Sequence, residues 1–282
     1  MRISLAAHAK INWSLNILAL RPDGYHELDM LMQSLELHDE LIFESARWLT
    51  LSVNGQPLTV GGRNLIIRAA NALIEATGER HGARIQLKKH IPIRAGLGGG
   101  SADCAMTLLA LNRLWNLHLP MDKLMDIGRS LGADVPFCMT GGLARVQGVG
   151  EKLSPLPGAP SIPLAMVTPG GGLSTPAVFK AWDEGQYPIV PMDVPALADA
   201  LVRRDLESAQ ALSFNALEPP AIRLMPEIDR IMRAFRDLGA RMVRMTGSGS
   251  TVFAAFESEE AARRAADAVP GAILTRTTAD PL

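Results

Sequence analysis

The sequence predicts an α+β chain of two domains. Strand and helix patterns follow one another in mixed order, with turns of hairpin length, which argues against a doubly wound parallel sheet. The length of 282 residues suits two domains of about 150 residues each. The sharpest shift in composition is the proline-rich stretch SPLPGAPSIP, residues 154–163. It is read as the boundary between a domain over 1–153 and a second over 154–282; a proline-rich loop within one domain would look similar.

The first strand is legible. Ala9, Ile11, Trp13, Leu15 and Ile17 alternate with His8, Lys10, Asn12, Ser14 and Asn16, a period of two. Lys10 and Asn12 then share a polar face, while Ile11 and Trp13 face a core. RPDGYHEL, residues 21–28, carries Pro22 and Gly24 and reads as a turn. Short strands are expected over 41–44 and 49–53. Residues 64–77 read as an amphipathic helix closed by Gly78. Residues 84–91 alternate again, with Ile85, Leu87 and Ile91 on one side. In the second half, helices are expected around 194–211 and 221–238. A strand over 242–245, a glycine turn and a strand over 252–256 follow. A helix over 259–268, with Glu259 and Glu260 in its acidic first turn, precedes a last strand at 272–275.

The central signal is IPIRAGLGGGSADCAMTLLALNRLW, residues 91–115. A strand runs into Pro92, then a loop with Gly96, Gly98, Gly99 and Gly100, then a helix. Ser101 stands at the expected N-cap, and Cys104, Leu108, Leu111 and Trp115 make one apolar stripe. Glycines let backbone amides close on an anion, and a helix N-terminus adds partial positive charge, so the loop suits a di- or triphosphate. The alternative reading is a flexible connection. A Walker loop is excluded because Ser101 and Ala102 follow Gly100, and a dinucleotide fingerprint would need glycine at position 101. TPGGGLST (168–175) and TGSGST (246–251) are two further glycine turns; the second also reads as a plain hairpin turn.

Lys plus Arg number 28 and Asp plus Glu 29, so the formal charge is −1 and no basic footprint for nucleic acid is present. Cys104 and Cys138, in no CxxC or Cys/His pattern, point to reduced core thiols in the cytoplasm rather than to zinc or a disulfide scaffold. Six prolines and four glycines break the uncharged stretch over 153–179, so it cannot hold a membrane helix. MRISLAAHAK has too short an apolar run for a secretory signal, and no targeting segment is expected. The other histidines, His8, His38, His81, His90 and His118, show no metal spacing.

AKIN (9–12), DGYHEL (23–28), PIRAGLGGGSAD (92–103), GADVPF (132–137) and TGSGS (246–250) occur in that order. Together they resemble the GHMP kinase superfamily, within it the branch whose acceptor is a cytidylated methylerythritol of the non-mevalonate isoprenoid pathway. The resemblance covers nearly the whole chain. It implies an N-terminal domain like the second domain of ribosomal protein S5 and a ferredoxin-like C-terminal domain. It also implies ATP as phosphoryl donor with Mg2+, and the acceptor's 2-hydroxyl as the group phosphorylated. Lys10 and Asp134 correspond to the catalytic pair. The ATP loop corresponds to Pro92, Ile93, Arg94, Ala95, Gly96, Leu97, Gly98, Gly99, Gly100, Ser101 and Ala102. The cytidine pocket is carried over to Asn12, Tyr25, His26, Thr175 and Phe179, with Tyr25 and Phe179 sandwiching the base and His26 on its edge. The expected partners are small molecules only, and the expected assembly is a monomer or weak homodimer. The protein ligands of magnesium are not implied.

Three departures stand out. Ala102 replaces the second serine usual in the loop, Met32 stands where an aromatic is common beside the pocket, and Trp13 stands where a hydrophobic residue other than tryptophan is usual. Within GADVPF, Pro136 biases Val135 away from helix, so Asp134 is expected on a loop. Without the resemblance, Lys10 reads as a solvated strand lysine and Asp134 as a turn cap. A mevalonate or homoserine kinase of the same superfamily, or a non-catalytic ligand-binding relative, are the alternatives.

Overall fold

The computed structural model describes residues 1–54, 56–58, 64–185 and 187–278. Two long strands, β1 (Arg2–Leu20) and β2 (His26–Ala46), form an antiparallel hairpin around the turn at Pro22 to Gly24. Against the other edge of β2 pair β5 (Gly82–Lys88) over residues 40–46 and β6 (Leu143–Gly148) over residues 28–33. β3 (Thr50–Val53), β4 (Gln56–Leu58) and β7 (Lys152–Leu156) complete a seven-stranded sheet. Helices α1 (Leu65–Thr77), α2 (Gly99–Leu114), α3 (Met121–Leu131) and α4 (Val135–Thr140) belong with this sheet, α2 packing on β1, α1 and α4. α1 is bounded as expected: Asn64 Oδ1 accepts from Ile66 N, and Gly78 takes the left-handed conformation at φ +72°.

β8 (Pro163–Val167) opens a second sheet, completed by β9 (Met242–Met245), β10 (Val252–Ala255) and β11 (Ile273–Arg276). Between β8 and β9 lie α5 (Thr175–Gly185), α6 (Val194–Val202), α7 (Leu206–Leu212), α8 (Glu218–Leu224) and α9 (Glu227–Asp237); α10 (Glu259–Ala268) joins β10 to β11. The order β11-β8-β10-β9, all antiparallel, with α9 and α10 packed on it, is the ferredoxin-like arrangement. The sheets part between Leu156 and Pro163, so a cut after residue 153 falls inside β7.

The polar face of β1 is interior, since residues 9–17 are all buried. Pairing with β2 loses register between His8 and Lys10 and again between Asn12 and Ser14. Ile3, Ala7, Leu15 and Ile17 pack in a first core under α1 to α4, whereas Ala9, Ile11 and Trp13 lie in a second core with Met166, Leu197 and Phe253. The irregularities therefore turn Lys10 and Asn12 toward the helix side for that short span, as bulges beside functional sites do. Trp13 is a core residue, its Nε1 donating to Gln33 Oε1 at 2.8 Å and its ring meeting Phe253 edge-on.

Several boundaries differ from the sequence reading. Residues 194–211 form two helices, because Arg204 is left-handed at φ +58° and Asp205 caps a new start by accepting from Ser208 N. Residues 221–238 divide at Met225, which the proline after it keeps out of the helical region. Asp134 is not on a loop: it is the N-cap of α4, and Pro136 fits the first turn, where a missing N–H costs nothing.

Candidate active site

A cleft of 670 Å³ lies between the two sheets' domains. Contacts order its wall. A Cβ on Gly99 would meet Lys89 Nζ at 3.2 Å and one on Gly247 would meet Lys10 Nζ at 3.4 Å, and Ser248 Oγ lies 2.7 Å from Thr175 Oγ1 at the start of α5.

The glycine loop is shaped by close approach. A Cβ on Gly96, at φ +76°, would sit 2.5 Å from the Thr246 carbonyl oxygen; on Gly98, at φ +69°, it would sit 2.9 Å from Lys10 Cγ. Gly98 is also the N-cap of α2 and offers no side-chain cap. The first helical bond runs from Ala102 N to Gly98 O, so the amides of Gly99, Gly100 and Ser101 have no partner within the helix. With no acidic residue in that first turn, this end of α2 is a receptor for an anion.

Lys10 is 4% exposed; its Nζ donates to Asn12 Oδ1 at 2.8 Å and lies 3.3 Å from Asp134 Oδ2. Asn12 is held in turn: Thr246 Oγ1 accepts from its backbone N at 3.0 Å. Asn215 donates to the Met245 and Gly247 carbonyls, fixing the 246–251 turn, which is the β9–β10 hairpin turn. A buried ammonium beside a half-exposed carboxylate at an anion-binding helix end can neutralise a transferring group and orient a hydroxyl.

A second charged cluster flanks the loop. Lys89 Nζ donates to Asp39 Oδ2 at 2.5 Å and to Asp103 Oδ2 at 2.9 Å, and Asp39 also accepts from the His90 and Ile91 amides. Burial pushes the Asp103 carboxyl up to about 7 against the opposing pull of Lys89. Burial alone would lower Lys89, but the charges of Asp103 and Asp39 hold its ammonium above the usual lysine value. Asp103 Oδ1 is buried without a hydrogen-bond partner. Beside Lys89, Val53, Leu65, Leu87 and Pro92 give that end of the cleft an apolar wall.

The GHMP kinases N terminal domain matches residues 64–142, and the GHMP kinases C terminal domain matches 197–273. Over 268 residues the chain is 44% identical to a 4-diphosphocytidyl-2-C-methyl-D-erythritol kinase of Pelotomaculum thermopropionicum, covering 94% of this chain and 93% of that one. The chain belongs to the 4-diphosphocytidyl-2-C-methyl-D-erythritol kinase family. A second member, from Moorella thermoacetica, is 42% identical over 282 residues, 98% of this chain and 99% of its own. A crystal structure of a 4-(cytidine 5'-diphospho)-2C-methyl-D-erythritol kinase aligns with a TM-score of 0.84 at 39% identity, covering 98% of this chain and 99% of that one. The Methanococcus jannaschii mevalonate kinase shares the fold, at a TM-score of 0.70 and 14% identity, covering 99% and 98%.

Within this member of the 4-diphosphocytidyl-2-C-methyl-D-erythritol kinase family, the cleft brings together Lys10, Asn12, Asp134, Thr175, Phe179 and the loop from Pro92 to Ser101. Ala102 is not among the lining residues; it is buried in the first core, and its N–H is spent on Gly98. Ser101 is the third residue of α2 rather than its cap. Met32 is also core; it is Met30 that lines the cleft and accepts from Asn12 Nδ2 through its sulfur at 3.3 Å. At the α5 end, the ring stacked on Phe179 is that of His26, at 4.8 Å and 29°, not that of Tyr25. His26 Nε2 lies 2.7 Å from Asp183 Oδ1, while Tyr25 is 65% exposed and off the cleft. The sequence reading missed Lys89, Asp39 and Asp103. Lys89 and Asp103 flank the glycine motif and carry a signal, whereas Asp39, within LHDEL, looks like any surface carboxylate.

Proposed function

We propose that this chain transfers the γ-phosphoryl group of ATP to the 2-hydroxyl of 4-diphosphocytidyl-2-C-methyl-D-erythritol, in the non-mevalonate route to isoprenoid precursors. The observation that carries this is the Lys10–Asp134 pair, 3.3 Å apart, beside the uncapped start of α2. The amides of Gly99, Gly100 and Ser101 hold the donor's phosphates. The apolar wall of Val53, Leu65, Leu87 and Pro92 receives the purine. Lys10 faces the transferring group and offsets charge on its oxygens, and it keeps the Asp134 carboxylate aimed into the cleft. Asp134 orients the acceptor hydroxyl and takes its proton as the new O–P bond forms and the bond to ADP breaks. Thr175, Phe179 and Asn12 place the acceptor, whose remote cytidine holds the hydroxyl in line.

Magnesium arrives with the nucleotide. Asp103, whose Oδ1 is buried without a partner, and Ser101, both lining the cleft, would hold such a hard cation. When bound, the ion screens phosphate charge. The first domain, carrying the loop and both charged residues, and the second, carrying Thr175 and Phe179, share one cleft that is complete within a single chain. That supports a monomeric working unit acting on small molecules alone. No described helix is long and apolar enough to cross a membrane, and a cytoplasmic reaction fits the buried thiols of Cys104 and Cys138. The test is purified protein with ATP and Mg2+, offered cytidylated methylerythritol, mevalonate and homoserine in parallel. ADP release with only the first is expected; turnover of either of the others overturns the reading.

A further inference from the structure

Two phosphate groupings must share this cleft, the donor's triphosphate and the acceptor's diphosphate, and the wall supplies little positive charge to hold both. The cations lining it are Lys10, Lys89 and Arg94. Lys10 is committed to Asp134 and Asn12, and Lys89 to Asp39 and Asp103. Arg94 is exposed, and among the described residues no ion pair, ring contact or side-chain hydrogen bond engages its guanidinium. The triphosphate already has the free amides of α2; the acceptor's diphosphate has no cation of its own.

The backbone places Arg94 at the acceptor's side. Its φ is +56°, a left-handed conformation that a long side chain rarely adopts and that points to a positional requirement. The loop around Gly172 packs against it: a Cβ on Gly172, itself at φ +90°, would run into the Arg94 carbonyl oxygen and sit 2.9 Å from Arg94 Cβ. Gly172 stands three residues before Thr175, where α5 begins at the cleft. The Arg94 Cβ therefore lies against the segment that leads to Thr175 and Phe179, and its side chain lines the cleft. Its planar fork suits two oxygens of a diphosphate, and its charge does not depend on pH.

We propose that Arg94, although part of the glycine loop, is the counter-ion of the acceptor's diphosphate rather than of the nucleotide donor. This rests on the kinase reading above. The first amides of α5 lie at the same end and add partial positive charge. Arg94 then bridges the two halves of the site: its backbone shapes the donor loop while its side chain holds the acceptor.

The experiment is calorimetry with cytidine diphosphate and with a non-hydrolysable ATP analogue, on the parent, Arg94→Ala and Arg94→Lys. Arg94 is exposed, so both variants are expected to fold, and ATP-analogue binding confirms it. Loss of a charged hydrogen-bond pair should weaken cytidine diphosphate binding by about tenfold to a hundredfold in Arg94→Ala. ATP-analogue affinity should stay within about twofold, and Arg94→Lys should recover part of the loss as a point charge without the fork. In turnover, KM for the acceptor should rise with kcat little changed. Unchanged cytidine diphosphate affinity in Arg94→Ala, or an equal loss for the ATP analogue, overturns the assignment. A parent that binds the ATP analogue but not cytidine diphosphate overturns instead the acceptor reading on which it rests.

Discussion

The two ends of the cleft are built from different material. At the end proposed for the donor the wall is backbone: left-handed glycines at 96 and 98, and three amides that α2 leaves free. Steric contact with Thr246 and Lys10 sets that shape, so it exists before any ligand arrives. At the end proposed for the acceptor the wall is side chain, drawn from α5 and from the β1–β2 hairpin. There Phe179 carries His26 on its face, and Tyr25 stands out in solvent. A pocket of backbone is ready-made, whereas a pocket of side chains is completed by what enters it, and its binding energy is spent partly on ordering.

That contrast can be broken at several points. The largest effect is expected where the two ends meet: Lys10→Ala and Asp134→Ala should each lower kcat by about 10²-fold or more, with ATP-analogue affinity little changed. Near-parental turnover in either variant would remove the pair from the chemistry. Next comes Phe179→Ala, expected to weaken cytidine diphosphate binding about fivefold to a hundredfold by calorimetry while sparing the ATP analogue. If Phe179→Ala and Tyr25→Ala both bind cytidine diphosphate as the parent does, the base sits elsewhere. Gly96→Ala tests the other end, since its Cβ would meet the Thr246 carbonyl oxygen at 2.5 Å. Its ATP KM should rise about tenfold, with a smaller change for the acceptor; equal losses would show that the loop is not specific to the donor.

The smallest effect is expected from Ala102→Ser. The residue faces the core, so the ATP KM should stay within about twofold, while denaturant unfolding shows a loss of about 1 kcal/mol for a buried hydroxyl. A gain in turnover would show that a hydroxyl there reaches the phosphates after all.

The donor end was legible because its signals are local: a strand, four glycines and a helix in one run of sequence. α1 was legible too, bounded by Asn64 and Gly78, as was α10 after Ser258. β2 was largely hidden, because residues 26–46 mix charges with apolar positions that are buried from both sides. Asp134 was placed on a loop because proline after Val135 looked like a helix breaker, when it occupies a first turn. Asp39 carried no signal, its burial being decided by Lys89 and two amides 50 or more residues away. The acceptor pocket came only from family resemblance, since nothing local ties Tyr25 or His26 to Phe179.

Of the three irregularities along β1, the first two act as opposite steps of phase. One shifts the inside–outside rhythm of the strand just before Lys10, and the other restores it just after Asn12. Outside that window the odd positions feed one core; inside it they feed the other, and the even positions are released to the cleft. The spacing between the two steps, rather than the composition of the strand, therefore sets how many polar groups β1 can lend to chemistry. A window two residues wider would deliver a third polar side chain, Ser14, and would move Leu15 from one hydrophobic interior to the other. One lysine and one asparagine are what a window of this width admits.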